Sequence, residues 1–128
     1  MYVVYESIRL IYTTFTALHH GCDCTSLTSV TIGNSVTSIG SGAFYECDSL
    51  TSVTIGISVT SIGVRAFCDC TSLKEVYCKP TIPPTGGSQM FDYNASVRKI
   101  YVPRNSVSTY KSASKWRDYA SDIVGSYF

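Results

Sequence analysis

A 23-residue repeat constrains the fold of this chain more than any other feature of its sequence. The block Cys24–Cys47 (CTSLTSVTIGNSVTSIGSGAFYEC) recurs as Cys47–Cys70 (CDSLTSVTIGISVTSIGVRAFCDC). A third unit starts at Cys70 and includes a Pro/Gly-rich excursion over 80–87. A fourth, partial unit covers 94–103. Such self-similarity is typical of folds in which each unit stacks on its neighbours.

Each unit carries the apolar pattern L-x-x-V-x-I, in which Val30 and Ile32 show the alternation of a half-buried β-strand. A glycine then ends the strand, a shorter apolar pair follows, and Ala43 and Phe44 add one small and one large core residue. The pattern predicts a mainly β, right-handed coil with one main parallel sheet and a shorter strand or turn elsewhere on each coil. The residues expected to form interior ladders are Cys24, Cys47, Cys70, Leu27, Leu50, Leu73, Phe44 and Phe67.

The motif C-x-S-L-x-x-V-x-I-x-x-x-V-x-x-I-G-x-x-A-F over 24–103 resembles the BspA-type leucine-rich repeat of bacterial and protist surface proteins. The tail is similar to the terminal unit of this family in gut-dwelling Bacteroidetes. The matching elements are Pro83-Pro84-Thr85, the strand Ile100–Pro103, and the segment from Ser106 to Trp116. The resemblance implies a leucine-rich-repeat solenoid that is exported, extracellular or at the cell surface, and non-catalytic. It also implies adhesion to host or cell-surface proteins or glycans.

Residues 22–103 are therefore predicted to form the solenoid, with units from 24, 47, 70 and 94, and residues 104–128 a C-terminal helical cap. Asn105 or Ser106 is the expected N-cap of a helix that runs to about Ala120. Its apolar side is predicted from a recurrence every three residues at Val107, Tyr110, Ala113 and Trp116. A partner-binding helix is the alternative interpretation.

Residues 1–21 do not match the repeat and are predicted to be an atypical N-terminal cap or a degenerate coil. The spacing of Val4, Ile8, Ile11, Phe15 and Leu18 favours an amphipathic helix. The alternation of Ile8, Leu10 and Tyr12 favours a strand instead. An uncapped N-terminal edge would allow self-association. The chain is also interpretable as a fragment of a longer repeat array.

The six cysteines and two histidines offer the residue types for metal or thiol chemistry. Cys22 and Cys68 each precede a ladder cysteine by two residues, and two coils separate them, about 10 Å at strand spacing. That distance exceeds disulfide reach and fits a four-thiolate zinc site poorly. His19 and His20 have no orienting third group at a recognisable spacing. We expect buried thiols, no metal and no cofactor, with a metal or redox role as the alternative.

Composition excludes several function classes. With 45% hydrophobic and 15% charged residues and a net charge of +1, the chain is globular and carries no overall field for nucleic acid. No stretch reaches the ~20 apolar residues of a membrane span. Glu6 and Arg9 interrupt any signal-peptide core, so none is predicted. Basic residues concentrate near the C-terminus, which indicates a solvated end face or, alternatively, a phosphate-binding patch: Arg98, Lys99, Arg104, Lys111, Lys115 and Arg117.

The outward-facing strand positions change character along the array. They are serine and threonine in the first two units and become charged and aromatic in the last two. The predicted binding residues are Lys74, Glu75 and Tyr77 in the third unit and Arg98, Lys99 and Tyr101 in the fourth. Stacking should bring Tyr77 beside Tyr101, Lys74 near Arg98 and Glu75 near Lys99. Tyrosine and arginine anchor protein interfaces most often, whereas sequence drift towards solubility is the alternative explanation.

Four functions follow from these patterns. A binding or adhesion module of an exported surface protein is the leading hypothesis, and a structural spacer is the second. Ice binding through the Ser/Thr rows is the third, but the rows break at Lys74. An enzyme is the fourth, and the sequence has no phosphate loop, carboxylate pair or nucleophile motif to support one.

Overall fold

The computed structural model describes residues 7–10, 14–15 and 26–128. Within these residues the strands are β1 Ser7–Leu10, β2 Thr14–Phe15, β3 Ser29–Ile32, β4 Ser38–Ile39, β5 Ser52–Ile55, β6 Ser61–Ile62, β7 Glu75–Cys78, β8 Thr85–Gly86, β9 Lys99–Pro103 and β10 Ile123–Ser126. One α-helix, α1, covers Val107–Ser112, and 3₁₀ turns occupy Arg104–Ser106 and Arg117–Asp122. In the described part of the chain, no helix has the length and apolar content needed to cross a membrane.

The strands form two parallel sheets, which confirms the predicted leucine-rich-repeat architecture. The main sheet has the order β1-β3-β5-β7-β9-β10, and the small sheet has the order β2-β4-β6-β8. Residues one period apart are partners, as in the series Val30, Val53, Val76, Ile100 and Ile123. Each coil therefore adds one strand to each sheet until the small sheet ends at β8.

The core lies between the two sheets and consists of identical side chains in rows. Leu27, Leu50 and Leu73 are buried, as are the valines and isoleucines of strands β3 to β9. Phe44 stacks on Phe67 with ring centroids 5.2 Å apart, and Phe67 stacks on the third phenylalanine, Phe91, at 5.4 Å. A single unit leaves these side chains exposed on both sides, so stacking supplies the burial.

The N-terminal segment is extended where the structure describes it. β1 pairs with β3 and β2 with β4, both in parallel. The helix favoured by the 4-3-4-3 spacing is therefore wrong for residues 7–10 and 14–15, which form strands. Pairing with the next coil satisfies the backbone of these strands, and the same apolar residues also have the alternation of a strand. The rest of the proposed helix lies outside the described residues.

The predicted cap helix to Ala120 is also wrong, because α1 ends at Ser112 and Ala113 is extended. A recurrence every three residues turns about 300° per step in an α-helix, so Val107 and Trp116 would lie on opposite sides of a continuous one. The break lets Tyr110 and Trp116 pack edge to face, with ring centroids 4.8 Å apart. Ser106 makes no side-chain cap, and its hydroxyl donates to Thr81 O at 2.8 Å.

Residues 104–128 add a strand to the main sheet that the sequence did not predict. This strand, β10, pairs in parallel with β9 and places Ile123 beside Ile100. The aromatic side chains of this coil close the phenylalanine row, since Trp116 and Tyr119 both contact Phe91.

The Pro/Gly-rich excursion anchors this last coil. The Tyr110 hydroxyl donates to Pro80 O at 2.6 Å, and Trp116 Nε1 donates to Pro84 O at 2.7 Å. Together with Ser106, these side chains satisfy carbonyls that the bulged loop leaves outside both sheets. The excursion thus accommodates the terminal unit.

Candidate functional site

The outer face of the main sheet carries two rows of side chains. One row contains Ser29, Ser52, Glu75 and Lys99, and the other contains Thr31, Thr54, Tyr77, Tyr101 and Val124. In β3, β5 and β7 these residues are half-buried and alternate with fully buried ones. The parallel register holds row neighbours about 4.8 Å apart at the backbone. These positions are therefore hydroxyl residues in β3 and β5 and charged or aromatic residues in β7 and β9.

Tyr77 and Tyr101 stack on each other, with ring centroids 5.1 Å apart and planes inclined by 13°. Their row neighbours, Thr54 and Val124, have shorter side chains, so the two rings project above them. We call this pair the aromatic ridge. Both tyrosines are half-buried at their base. Stacking fixes both rings before any partner arrives, which lowers the entropy cost of binding.

Charged groups lie next to the aromatic ridge. Glu75 is the register partner of Lys99, and Lys74 is exposed beside Glu75. Burial, followed by the neighbouring Glu75 carboxylate, raises the pKa of the Tyr77 hydroxyl. The hydroxyl is therefore a protonated donor at neutral pH. The later half of the face thus presents aromatic area, a hydrogen-bond donor and both signs of charge.

The prediction that Arg98 faces outward beside Lys74 is wrong. In earlier coils the backbone N–H of the buried leucine donates to the carbonyl three residues before it. These bonds run from Leu50 N to Cys47 O and from Leu73 N to Cys70 O. In the fourth unit the equivalent bond joins Arg98 N to Ala95 O at 3.0 Å. Arg98 thereby takes the buried position, and Val97 is left 69% exposed.

A polar network compensates the buried guanidinium. Arg98 Nη2 lies 2.7 Å from Asp122 Oδ2, and Nη1 donates to Phe91 O and to Asn94 Oδ1. The guanidinium carbon lies 5.0 Å from the centroid of Tyr119. Neither Asp122 nor Tyr119 was predicted from the sequence to be a partner of Arg98. The available signal was that Asp122 follows Arg98 by 24 residues, which is one coil. Arg98 therefore has a structural role and is not part of the candidate binding site.

The ladder cysteines that the structure describes are interior residues. Cys47, Cys68, Cys70 and Cys78 are buried. Burial raises the pKa of Cys78 to about 12, so this thiol is protonated and unreactive at neutral pH. In the fourth unit Asn94 replaces the ladder cysteine, and its amide donates to Phe67 O at 2.9 Å.

The remaining predicted thiol and imidazole residues lie outside the described residues: His19, His20, Cys22 and Cys24. Among the described residues, no group of three or more histidine, cysteine, aspartate or glutamate side chains is arranged to hold a metal ion.

Comparison with known families gives one match. A family model described as a BspA type leucine rich repeat region matches residues 20–116 in six copies. This span extends past β9 into the last coil and includes the aromatic ridge. No curated protein matches the chain.

Proposed function

The chain belongs to the BspA-type leucine-rich repeat family, and from this membership we propose that it is a non-catalytic binding module. Its ligand is a protein or glycan of a host or another cell. The contact surface is the aromatic ridge together with Lys74, Glu75 and Lys99.

The stacked tyrosine pair is the observation that carries this proposal. Two aromatic side chains project beyond the shorter side chains of their row neighbours Thr54 and Val124, and stacking holds them in place. Tyrosine contributes large contact area at low entropy cost and is enriched among residues that dominate binding energy. The charges of Glu75 and Lys99 beside it supply orientation and partner selection.

A surface location supports adhesion as the biological role. Family members are typically associated with the cell surface, where a parallel sheet exposes a broad face to large partners. A structural spacer is the second candidate, favoured by the uniform Ser/Thr surface of the first coils.

Bead adhesion tests the proposal. Beads coated with the chain are counted on epithelial cell layers, beside beads coated with a Tyr77→Ser/Tyr101→Ser variant. We expect the variant to lose most of the adhesion, about ten-fold, because both anchors are removed. If the ligand is a protein, protease treatment of the cell layers before counting should abolish adhesion. If the ligand is a glycan, glycosidase treatment should abolish adhesion instead.

A matched control uses the hydroxyl half of the same face. A Thr31→Ala/Thr54→Ala variant changes the same row of the sheet and should adhere like the unmodified chain. Equal adhesion of all three chains above uncoated beads would contradict binding through the ridge. No adhesion by any of them would favour the spacer.

A further inference from the structure

A groove of about 520 Å³ lies at the carboxyl ends of the main-sheet strands. Its walls come from Ile57 after β5, Lys79 after β7, Pro103 and Arg104 at the end of β9, and Tyr127 and Phe128 after β10. We call it the corner groove. Its volume falls in the range of pockets that bury ligands of substantial size.

Exposed apolar side chains concentrate at this groove. Ile57 is 60% exposed, Tyr127 80% and Phe128 54%. An adjoining groove of about 320 Å³ shares Ile57 and Thr81 with it and adds Ile82, which is 79% exposed. Apolar side chains scattered singly on a surface need no explanation, but a contiguous group rimmed by polar residues marks an interaction site.

The charged side chains of the corner groove are both basic. Lys79 and Arg104 line it, and none of the described side chains that line it is acidic. The Arg104 guanidinium lies 4.7 Å from the centroid of the Tyr127 ring, which holds the cation beside an aromatic wall. The remaining polar lining consists of hydroxyl and amide side chains, which include Thr81, Asn105 and Ser126.

We propose that the corner groove binds an extended segment of a partner protein in which carboxylate side chains flank an apolar or aromatic residue. The apolar residue contacts Ile57, Tyr127 and Phe128, and the carboxylates pair with Lys79 and Arg104. Arginine forms bidentate hydrogen bonds with carboxylates, and lysine adds a point charge. The proposal does not rest on the ridge function, because it uses none of the residues of the ridge surface.

The concave shape favours a peptide over a membrane surface. A lipid interface is reached by side chains that protrude together, whereas here the apolar residues form the walls of a depression. An extended chain enters such a depression and desolvates both the apolar walls and the two cations.

Fluorescence polarisation with a defined peptide tests this site. The probe is a labelled synthetic peptide of alternating aspartate and phenylalanine, and its matched counterpart has lysine in place of aspartate. We expect the acidic peptide to bind and the basic one not to bind. Affinity should fall as salt is raised, because the charge pairs are partly exposed.

Charge reversal then locates the site. A Lys79→Glu/Arg104→Glu variant should bind the acidic peptide about ten-fold more weakly or worse. A Lys111→Glu/Lys115→Glu variant changes net charge equally at exposed residues outside the groove and should bind like the unmodified chain. Circular dichroism establishes that each variant is folded. An Ile57→Ser variant, which keeps both cations, should also weaken binding because it removes an apolar wall.

Three results would overturn the proposal. These are equal binding of the acidic and basic peptides, equal loss of affinity in both charge-reversal variants, or no binding of the acidic peptide at all. Cosedimentation with phosphatidylserine vesicles in the absence of peptide binding would assign the groove to membranes instead. A Tyr77→Ser/Tyr101→Ser variant that keeps the acidic peptide but loses cell adhesion would separate this site from the ridge.

Discussion

At the residue scale, Arg98 shows how a leucine ladder ends. Leu27, Leu50 and Leu73 fill the same place in successive coils, and the next coil fills it with a guanidinium. A buried charge is tolerated when its hydrogen bonds and its charge are satisfied. Asp122 supplies the opposite charge from the last coil, and the Phe91 carbonyl and the Asn94 amide oxygen accept hydrogen bonds from Nη1, while Nε has no partner.

We therefore expect Arg98→Met to lower the free energy of unfolding by about 2–3 kcal/mol. The substitution keeps most of the apolar stem but leaves Asp122 and the Phe91 carbonyl without their donor. Urea unfolding followed by circular dichroism measures the change. Lys99→Met, at an exposed neighbour, should cost less than about 0.5 kcal/mol. If Arg98→Met/Asp122→Asn is no more stable than Arg98→Met, the unpaired carboxylate is not the source of the loss.

Close approach between coils makes a second prediction at the residue scale. A Cβ atom added at Gly63 would lie 2.3 Å from Ser41 N, on the backbone of the previous coil. Gly63→Ala should therefore destabilise the chain by about 3 kcal/mol or more, because two backbones must separate. Gly42→Ala is the control, since its φ of +65° is strained but its nearest heavy atom is 4.0 Å away. Gly42→Ala should lower the free energy of unfolding by only about 1 kcal/mol. Equal losses in the two variants would show that the coils are loosely packed at Gly63.

At the element scale, the terminal coil depends on hydroxyl groups that must stay protonated. The Tyr110 hydroxyl donates to Pro80 O and contacts Cys78 Sγ at 3.3 Å. Burial raises the pKa of Tyr110 far above 10.0 and the pKa of Cys78 from 9.0 to about 12. Both groups thus bind their protons more tightly in the folded chain than in the unfolded one.

Stability should follow from this difference in proton binding. The contribution of both groups is complete below pH 9, where folded and unfolded chains are protonated alike. It declines as pH rises from about 9 towards 12 because the unfolded chain loses protons first. Tyr110→Phe should cost about 1–2 kcal/mol at neutral pH and show a shallower alkaline decline. Thermal unfolding at several pH values measures both, and an identical alkaline slope in the variant would contradict the assignment.

An element could be predicted from the sequence when the strand that it pairs with is another copy of the repeat. Strands β3, β5 and β7 repeat the same apolar alternation, so the sequence predicted their sheet and the pairing of Tyr77 with Tyr101. β10 has four residues, and Gly125 interrupts the apolar alternation typical of a strand. Only its pairing with β9 identifies it as a strand. The burial of Arg98 could likewise not be predicted from its own unit, because the carboxylate that pairs with it comes from another coil.

At the scale of the whole molecule, the solenoid is a series of nearest-neighbour contacts. Each strand of the main sheet pairs only with the strands before and after it in the stack, and the described sheet runs from β1 to β10. Stability in such a fold is close to a sum of unit and interface contributions. The first two units are nearly identical in register, so an additional copy between them should meet the same neighbours on both sides.

Duplicating residues 47–69 should therefore give a folded chain with one more coil. We expect a higher free energy of unfolding and an m-value in urea that is roughly a fifth larger, because m scales with the surface exposed on unfolding. A matched variant duplicates residues 48–69, one residue fewer. Its inserted strand is out of phase, so its valines turn towards solvent. The in-phase chain should unfold in one transition above the original, and the out-of-phase chain below it. Equal stability of the two insertions would show that the coils do not depend on register.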